Sequence, residues 1–188
     1  PEKMREASKL CAELGFDGID INMGCPDKSI EKQGAGAAMM KNMKSAGEVI
    51  QAVKDGIKDA GKDITVSVKT RVGYNKVQID EWIPFLLEQG LDTLTIHART
   101  RKEMSLVPAR WEHVREVVEI RDRMGVKTKI IGNGDVKDLA HGRKLAEETG
   151  CDGIMLGRAI FGNPWLFAEH IPTIEEKLKV MVEHTKLF

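Results

Sequence analysis

At 188 residues, with 41% hydrophobic and 31% charged side chains, the chain has the make-up of one globular domain with its own core, which excludes disordered and fibrous classes. Lys plus Arg balance Asp plus Glu at 29 each, so phosphate binding over the whole surface is disfavoured, while a local basic patch is not. No apolar run is long enough to cross a bilayer, no signal peptide is evident, and the three cysteines, Cys11, Cys25 and Cys151, form no even framework, which predicts a reducing cytoplasmic setting without a membrane. A first residue of Pro1 rather than Met predicts that the chain begins inside a longer product.

Met4, Ala7, Leu10, Cys11 and Leu14 recur at helical spacing and stop at Gly15. The strand-like run Gly18-Ile19-Asp20-Ile21 follows, then a second helical pattern at Ala46, Val49, Ile50, Val53 and Ile57. Thr65-Val66-Ser67-Val68 reads as a strand, Ile79, Trp82, Ile83 and Leu86 as a helix ending at Gly90, and Thr93-Leu94-Thr95-Ile96 as the next strand. Val114, Val117, Val118 and Arg121 mark a helix, Lys129-Ile130-Ile131 a strand, Leu139 to Glu148 a helix ending at Gly150, and Gly153-Ile154-Met155-Leu156 a last strand. The charges from Glu112 to Arg123 read as a solvated helix face. Alternation of this kind predicts a parallel sheet with helical crossovers.

Three stretches echo one another: Gly15-Phe16-Asp17-Gly18-Ile19-Asp20-Ile21, Gly90-Leu91-Asp92-Thr93-Leu94-Thr95-Ile96 and Gly150-Cys151-Asp152-Gly153-Ile154-Met155-Leu156. Each passes from a helix-ending Gly through an Asp turn into a strand, the mark of a repeated βα unit. The predicted fold is therefore α/β, a (β/α)₈ TIM barrel, rather than a doubly wound sheet, and no GxGxxG follows any strand. A whole barrel takes ~250 residues, so five strands predict one that is incomplete in this chain.

Every strand runs into a polar or glycine motif: Asn22-Met23-Gly24-Cys25-Pro26, Lys69-Thr70-Arg71, His97-Ala98-Arg99-Thr100-Arg101, Gly132-Asn133-Gly134-Asp135 and Gly157-Arg158. In a barrel the carboxyl ends of the strands converge on one mouth, where active sites are built. A lone Cys usually packs in a core, but Cys25 sits in a tight Gly-Pro turn at that mouth. Cys11 and Cys151 read as core, and Cys25 has no Cys or His at ligand spacing, so no metal is predicted.

The run from Asp20 to Pro26, followed by Gly34-Ala35-Gly36-Ala37-Ala38-Met39-Met40, resembles the signature of the tRNA-dihydrouridine synthases. Val68-Lys69-Thr70-Arg71, Ile96-His97-Ala98-Arg99-Thr100, Asn133-Gly134-Asp135 and Gly157 to Trp165 follow in that family's order, so the resemblance covers nearly the whole chain. The family begins with two further strands and ends in a helical tRNA-gripping domain. The resemblance thus implies a partial FMN-binding barrel over residues 1–170 and the start of the helical domain over 171–188, with its first helix from about Ile174.

The resemblance also implies chemistry: FMN-dependent reduction of uridine in tRNA at the expense of NADPH or NADH. Cys25 would be the general acid toward C5, as a thiol rather than a thiolate. Lys69 would stabilise negative charge on the reduced flavin, and His97 would be a neutral hydrogen-bond partner of flavin or uracil. Asn133, Gly134, Asp135, Gly157 and Arg158 would form the FMN phosphate and ribityl site, Asn22 would face the uracil, and Arg99, Thr100 and Arg101 would contact RNA. The chain departs from the family at Ala98, where Gly is usual, and at Met104 to Pro108, where a Tyr and a Gly are frequent. Two other readings compete: an FMN barrel reductase of free pyrimidines, and a truncated barrel without catalysis. Neither the modified tRNA position nor the oligomeric state is legible.

Overall fold

A computed structural model describes residues 1–188. The chain runs α1 (Glu2–Glu13), β1 (Gly18–Asn22), α2 (Lys28–Glu31), a 3-10 helical segment (Gly36–Lys41), α3 (Met43–Asp59), β2 (Thr65–Arg71), α4 (Ile79–Glu88), β3 (Thr93–His97), α5 (Glu112–Met124), β4 (Lys129–Asn133), α6 (Leu139–Thr149), β5 (Gly153–Met155) and α7 (Ile174–Leu187). The five strands form one sheet in the order β1-β2-β3-β4-β5, each parallel to the next. The long helices pack in the same succession, α1 on α3, α3 on α4, α4 on α5 and α5 on α6. A doubly wound sheet reverses its strand order and carries helices on both faces. Here neither happens, and the architecture is the wall of a (β/α)₈ TIM barrel, incomplete in this chain.

The two-residue period of a strand divides the sheet. Ile21, Val66, Val68, Leu94, Ile96 and Ile130 point outward and bury against Ile50, Val53 and Ile57 of α3, Trp82, Ile83 and Leu86 of α4, and Val114 and Val117 of α5. Each such aliphatic side chain contributes about 1.5–3 kcal/mol when removed from water. The alternate positions, Asp20, Asn22, Ser67, Lys69, Arg71, Thr95, His97 and Asn133, belong to the inner face. Its polarity is why the strands read as alternating rather than uniformly apolar.

The Asp turns of the repeat have a structural reason. The Asp92 carboxylate accepts the Val66 N–H at 2.8 Å, and the Asp152 carboxylate accepts the Ile130 N–H at 2.9 Å. Each satisfies a backbone donor near the start of the preceding strand, a group that otherwise has no ladder partner there.

Some expectations are corrected. In α1 the buried residues are Ser8 and Ala12, whereas Leu10 and Leu14 are 55% and 67% exposed. Ser8 and Arg5 press so closely on Gly56 of α3 that small residues, not the longest apolar ones, set the contacting face. β2 continues three residues past Val68, so Lys69, Thr70 and Arg71 lie within the strand. α2 and the 3-10 segment were not legible as helices. α7 starts with a capping box between Thr173 and Glu176 and buries none of its residues.

Candidate active site

The first βα turn is held from all sides. Asn22 ends β1, and its Oδ1 accepts the N–H groups of Gly24 at 3.0 Å and Cys25 at 2.9 Å. The Cys25 carbonyl accepts the Ala37 N–H at 2.9 Å, and Arg71 Nε donates to the Gly24 carbonyl at 2.8 Å. Beneath the turn, Trp82 Nε1 donates to Thr70 Oγ1, which donates to the Met23 carbonyl, at 3.0 and 3.2 Å. Gly36 has φ +58°, and a Cβ there would lie 2.7 Å from the Cys25 carbonyl oxygen, so the turn requires glycine twice over. Cys25 is half-buried and forms no disulfide. Asn22 thus spends its acceptor on the turn, leaving only its amide N–H groups to face a ligand.

Register then gathers the inner-face residues. Arg71 pairs with His97, His97 with Asn133, and Asn133 with Met155, at one level of the barrel wall. One step deeper, Lys69 pairs with Asn22. Lys69 Nζ donates to Asn133 Oδ1 at 3.1 Å, and the Asn133 amide donates to the Met155 carbonyl at 2.8 Å. No carboxylate lies within salt-bridge distance of Lys69. Burial, reinforced by Arg71 and partly opposed by Asp20, lowers its pKa. Burial chiefly, then Arg71, Lys69 and Arg99, push His97 down to about 3, which leaves it neutral at physiological pH. The mouth is therefore cationic, and that potential is aimed at its interior.

Arg99, Thr100 and Arg101, in the loop after β3, differ from a free RNA-contacting surface. Arg99 is 3% exposed: its guanidinium pairs with Asp135, its Nε donates to the Val107 carbonyl at 2.6 Å, and its Nη1 lies 3.1 Å from His97 Nε2. Thr100 is buried, exchanging hydrogen bonds with Glu103 through its N–H at 2.7 Å and its hydroxyl at 3.2 Å. Arg101 clasps Glu31 of α2 bidentately, with Nε to Oε1 at 2.7 Å and Nη2 to Oε2, and the same Nη2 also reaches the Pro26 carbonyl at 3.4 Å. It therefore ties the β3 loop to the Cys25 turn. The departures from the family pattern fall in this loop, which two buried arginines hold by its carbonyls: Arg71 on Thr100 and Met104, and Arg99 on Val107.

At the ends of β4 and β5, Asp135 takes φ +53° and presents one oxygen to Arg99 and the Ala109 N–H, the other to Arg158 at 3.1 Å. These contacts, the Arg99 hydrogen bond foremost, hold the Asp135 carboxyl below its usual range. Gly134 has φ +127° and lets Ala109 and His97 close over it. At Gly157 a Cβ would meet nothing within 4 Å. A cavity of about 710 Å³ opens here, lined among others by Arg71, His97, Asn133, Asp135, Gly157 and Arg158.

The structure thus brings the expected His97, Asn133, Gly134, Asp135, Gly157 and Arg158 onto one cavity, with Pro26 linking it to Cys25, and Lys69 joined through Asn133. Arg71 was not singled out from sequence, because the strand pattern ends at Val68. Its position two residues beyond Lys69, on the same strand face, was the available signal.

Comparison with known proteins bears on this site. A family model described as "Dihydrouridine synthase (Dus)" matches residues 1–187. A protein of Staphylococcus aureus (strain MRSA252) named "Probable tRNA-dihydrouridine synthase" is 42% identical over 193 residues, covering 100% of this chain and 56% of the relative. One of Bacillus subtilis (strain 168), named "Probable tRNA-dihydrouridine synthase 2", is 46% identical over 168 residues, covering 89% of this chain and 50% of the relative. The chain thus spans about half the length of these relatives. Among solved structures, DHODH from Eimeria tenella in complex with ferulenol superposes with a TM-score of 0.63 at 13% identity, over 96% of this chain and 54% of that one. A 2,3-dimethylmalate lyase does so at 0.55 and 14%, over 92% and 66%. At these identities the two structures speak to the fold alone.

Proposed function

The chain belongs to the dihydrouridine synthase (Dus) family, and on that footing we propose that its barrel mouth binds FMN and reduces the C5=C6 bond of uridine in tRNA to dihydrouridine, drawing electrons from NADPH or NADH. The observation that carries this reading is Lys69: a part-buried ammonium whose one partner in the protein is the neutral Asn133 amide. A part-buried cation that touches no carboxylate, with Asp20 acting on it only from beyond contact, is costly unless a ligand supplies further negative charge. An anionic reduced flavin or its phosphate would do so.

The other residues fit such a group. Gly157 leaves open the space a side chain would fill, Arg158 stands beside it with a charge-bearing fork, Asn133 offers an amide, and Gly134, packed under Ala109 and His97, shapes the wall beside them. A reduced flavin held there would supply the hydride that C6 of the uracil takes up. Cys25 gives its thiol proton to C5, closing the saturated bond, and the thiolate regains a proton from solvent. Asn22 and Arg71 hold the turn that aims this thiol, and the Asn22 amide N–H groups remain to meet a uracil carbonyl. The uracil must leave its stack to arrive there, at a cost of a few kcal/mol.

On this reading residues 1–170 belong to the flavin barrel and α7 opens a helical tRNA-binding part over 171–188, with the reaction taking place in the cytoplasm. Arg99, Thr100 and Arg101 serve the loop and the Cys25 turn in place of direct RNA contact. The test is the absorption spectrum of the purified protein after incubation with FMN and desalting. A retained flavin band that is lost in Lys69→Ala and in Arg158→Ala supports the site; a wild-type protein that keeps no flavin contradicts it.

A further inference from the structure

We infer that Arg99 is a positioning residue that fixes the tautomer of His97, so that His97 presents an N–H donor and no acceptor to the cavity. A guanidinium has five N–H donors, no lone pair to offer and no accessible deprotonated form. Its Nη1 lies 3.1 Å from His97 Nε2, so that nitrogen must be the bare acceptor of the ring. The same ring edge is closed on its other side by Gly134, where an added Cβ would stand 3.3 Å from His97 Cδ2 and 3.6 Å from Nε2. A neutral imidazole carries one proton, which is left to Nδ1.

Nδ1 has no hydrogen-bond partner in the protein, and the one buried side-chain polar atom without a partner lies elsewhere, at Asn163 Oδ1. Nδ1–H is therefore open to the cavity that His97 lines. Arg99 cannot turn away from this duty. Its Nε is held by the Val107 carbonyl at 2.6 Å, and its Nη2 by the Asp135 carboxylate, itself anchored by the Ala109 N–H at 2.9 Å. Asp135 thus acts on His97 through Arg99. The consequence for recognition, which rests on the flavin and uracil reading, is that the ligand atom facing His97 is an acceptor, a carbonyl oxygen or a bare ring nitrogen. An N–H edge of either ring is refused there.

The experiment is a long-range ¹H–¹⁵N correlation on the flavin-free, ¹⁵N-histidine-labelled protein at neutral pH, with His97 assigned by its loss in His97→Gln. The expected pattern is a protonated Nδ1 and a bare Nε2 as the sole form. In Arg99→Met the Nδ1–H form falls to a minority as the ring reverts to the ordinary Nε2–H tautomer. A wild-type ring found as Nε2–H or as imidazolium overturns the inference, as does an Nδ1–H form that survives Arg99→Met unchanged. Should Arg99→Met not fold, the wild-type pattern decides the tautomer, and Asp135→Asn must raise the Nε2–H share for Arg99 to hold its role. Because no flavin is present, failure here is distinct from failure of the protein to retain FMN.

Discussion

On the proposed reading Cys25 offers one thiol proton to the reaction, and its turn is built from groups that Ala would leave intact: the Asn22 amide, the Ala37 N–H and Arg71 all engage backbone atoms. Cys25→Ala is therefore expected to fold and to keep its flavin while losing about 10²- to 10⁴-fold in dihydrouridine formation, the usual worth of a general acid. His97 makes a different prediction, on stability. Its pKa of about 3 in the folded protein compares with ~6.5 in an unfolded chain, so between those values the unfolded state binds the extra proton. Stability contributed by neutral His97 is thus complete above ~6.5 and declines as pH falls toward 3. Urea unfolding of His97→Gln from neutral pH down to about pH 4.5 should show a flatter acid decline than wild type. The depressed Asp135 carboxyl does not interfere, because its contribution is lost only below the ordinary carboxylate range. An equally steep decline in both proteins would mean that His97 is not held neutral.

The βα unit is the element in which sequence and structure agree most closely, and the Asp of each turn shows why. Asp92 and Asp152 recur because each ties the turn entering its own strand to the edge of the strand before, a local rule that repeats with the fold. Removing it in Asp92→Ala leaves the Val66 N–H without its partner and should cost about 1–3 kcal/mol by denaturant midpoint, with no direct effect on flavin retention. Gly36→Ala is expected to do the reverse. It strains one backbone position against the Cys25 carbonyl, so activity should fall more than global stability does. What the sequence hid was orientation. His97-Ala98-Arg99-Thr100-Arg101 looks like an exposed basic run, yet Arg99 turns inward to Asp135 and Arg101 folds across to Glu31, 70 residues away in the chain. Long-range ion pairs leave no periodic trace. Helical spacing likewise misjudged α1, because Gly56 on a distant helix decides which face can approach.

At the scale of the molecule, the strand order was legible because parallel strands with short crossovers add one after another. The register that places Arg71, His97 and Asn133 on one level was not, since a two-residue shift leaves every apolar position on the same side. The result is a barrel wall whose outer face is a hydrophobic core and whose inner mouth concentrates Arg71, Arg99 and Arg158 around one cavity, with Lys69 joined to it through Asn133, within a chain of zero net charge. That concentration suits an anionic cofactor and a polyanionic substrate without making the whole surface basic. The most direct test supplies the protein with FMN, NADPH and tRNA lacking dihydrouridine, and measures dihydrouridine in the recovered tRNA for wild type and Cys25→Ala. The account predicts that it forms in the wild type and all but disappears in the variant; reduction of free uracil or uridine with tRNA left unchanged would contradict it.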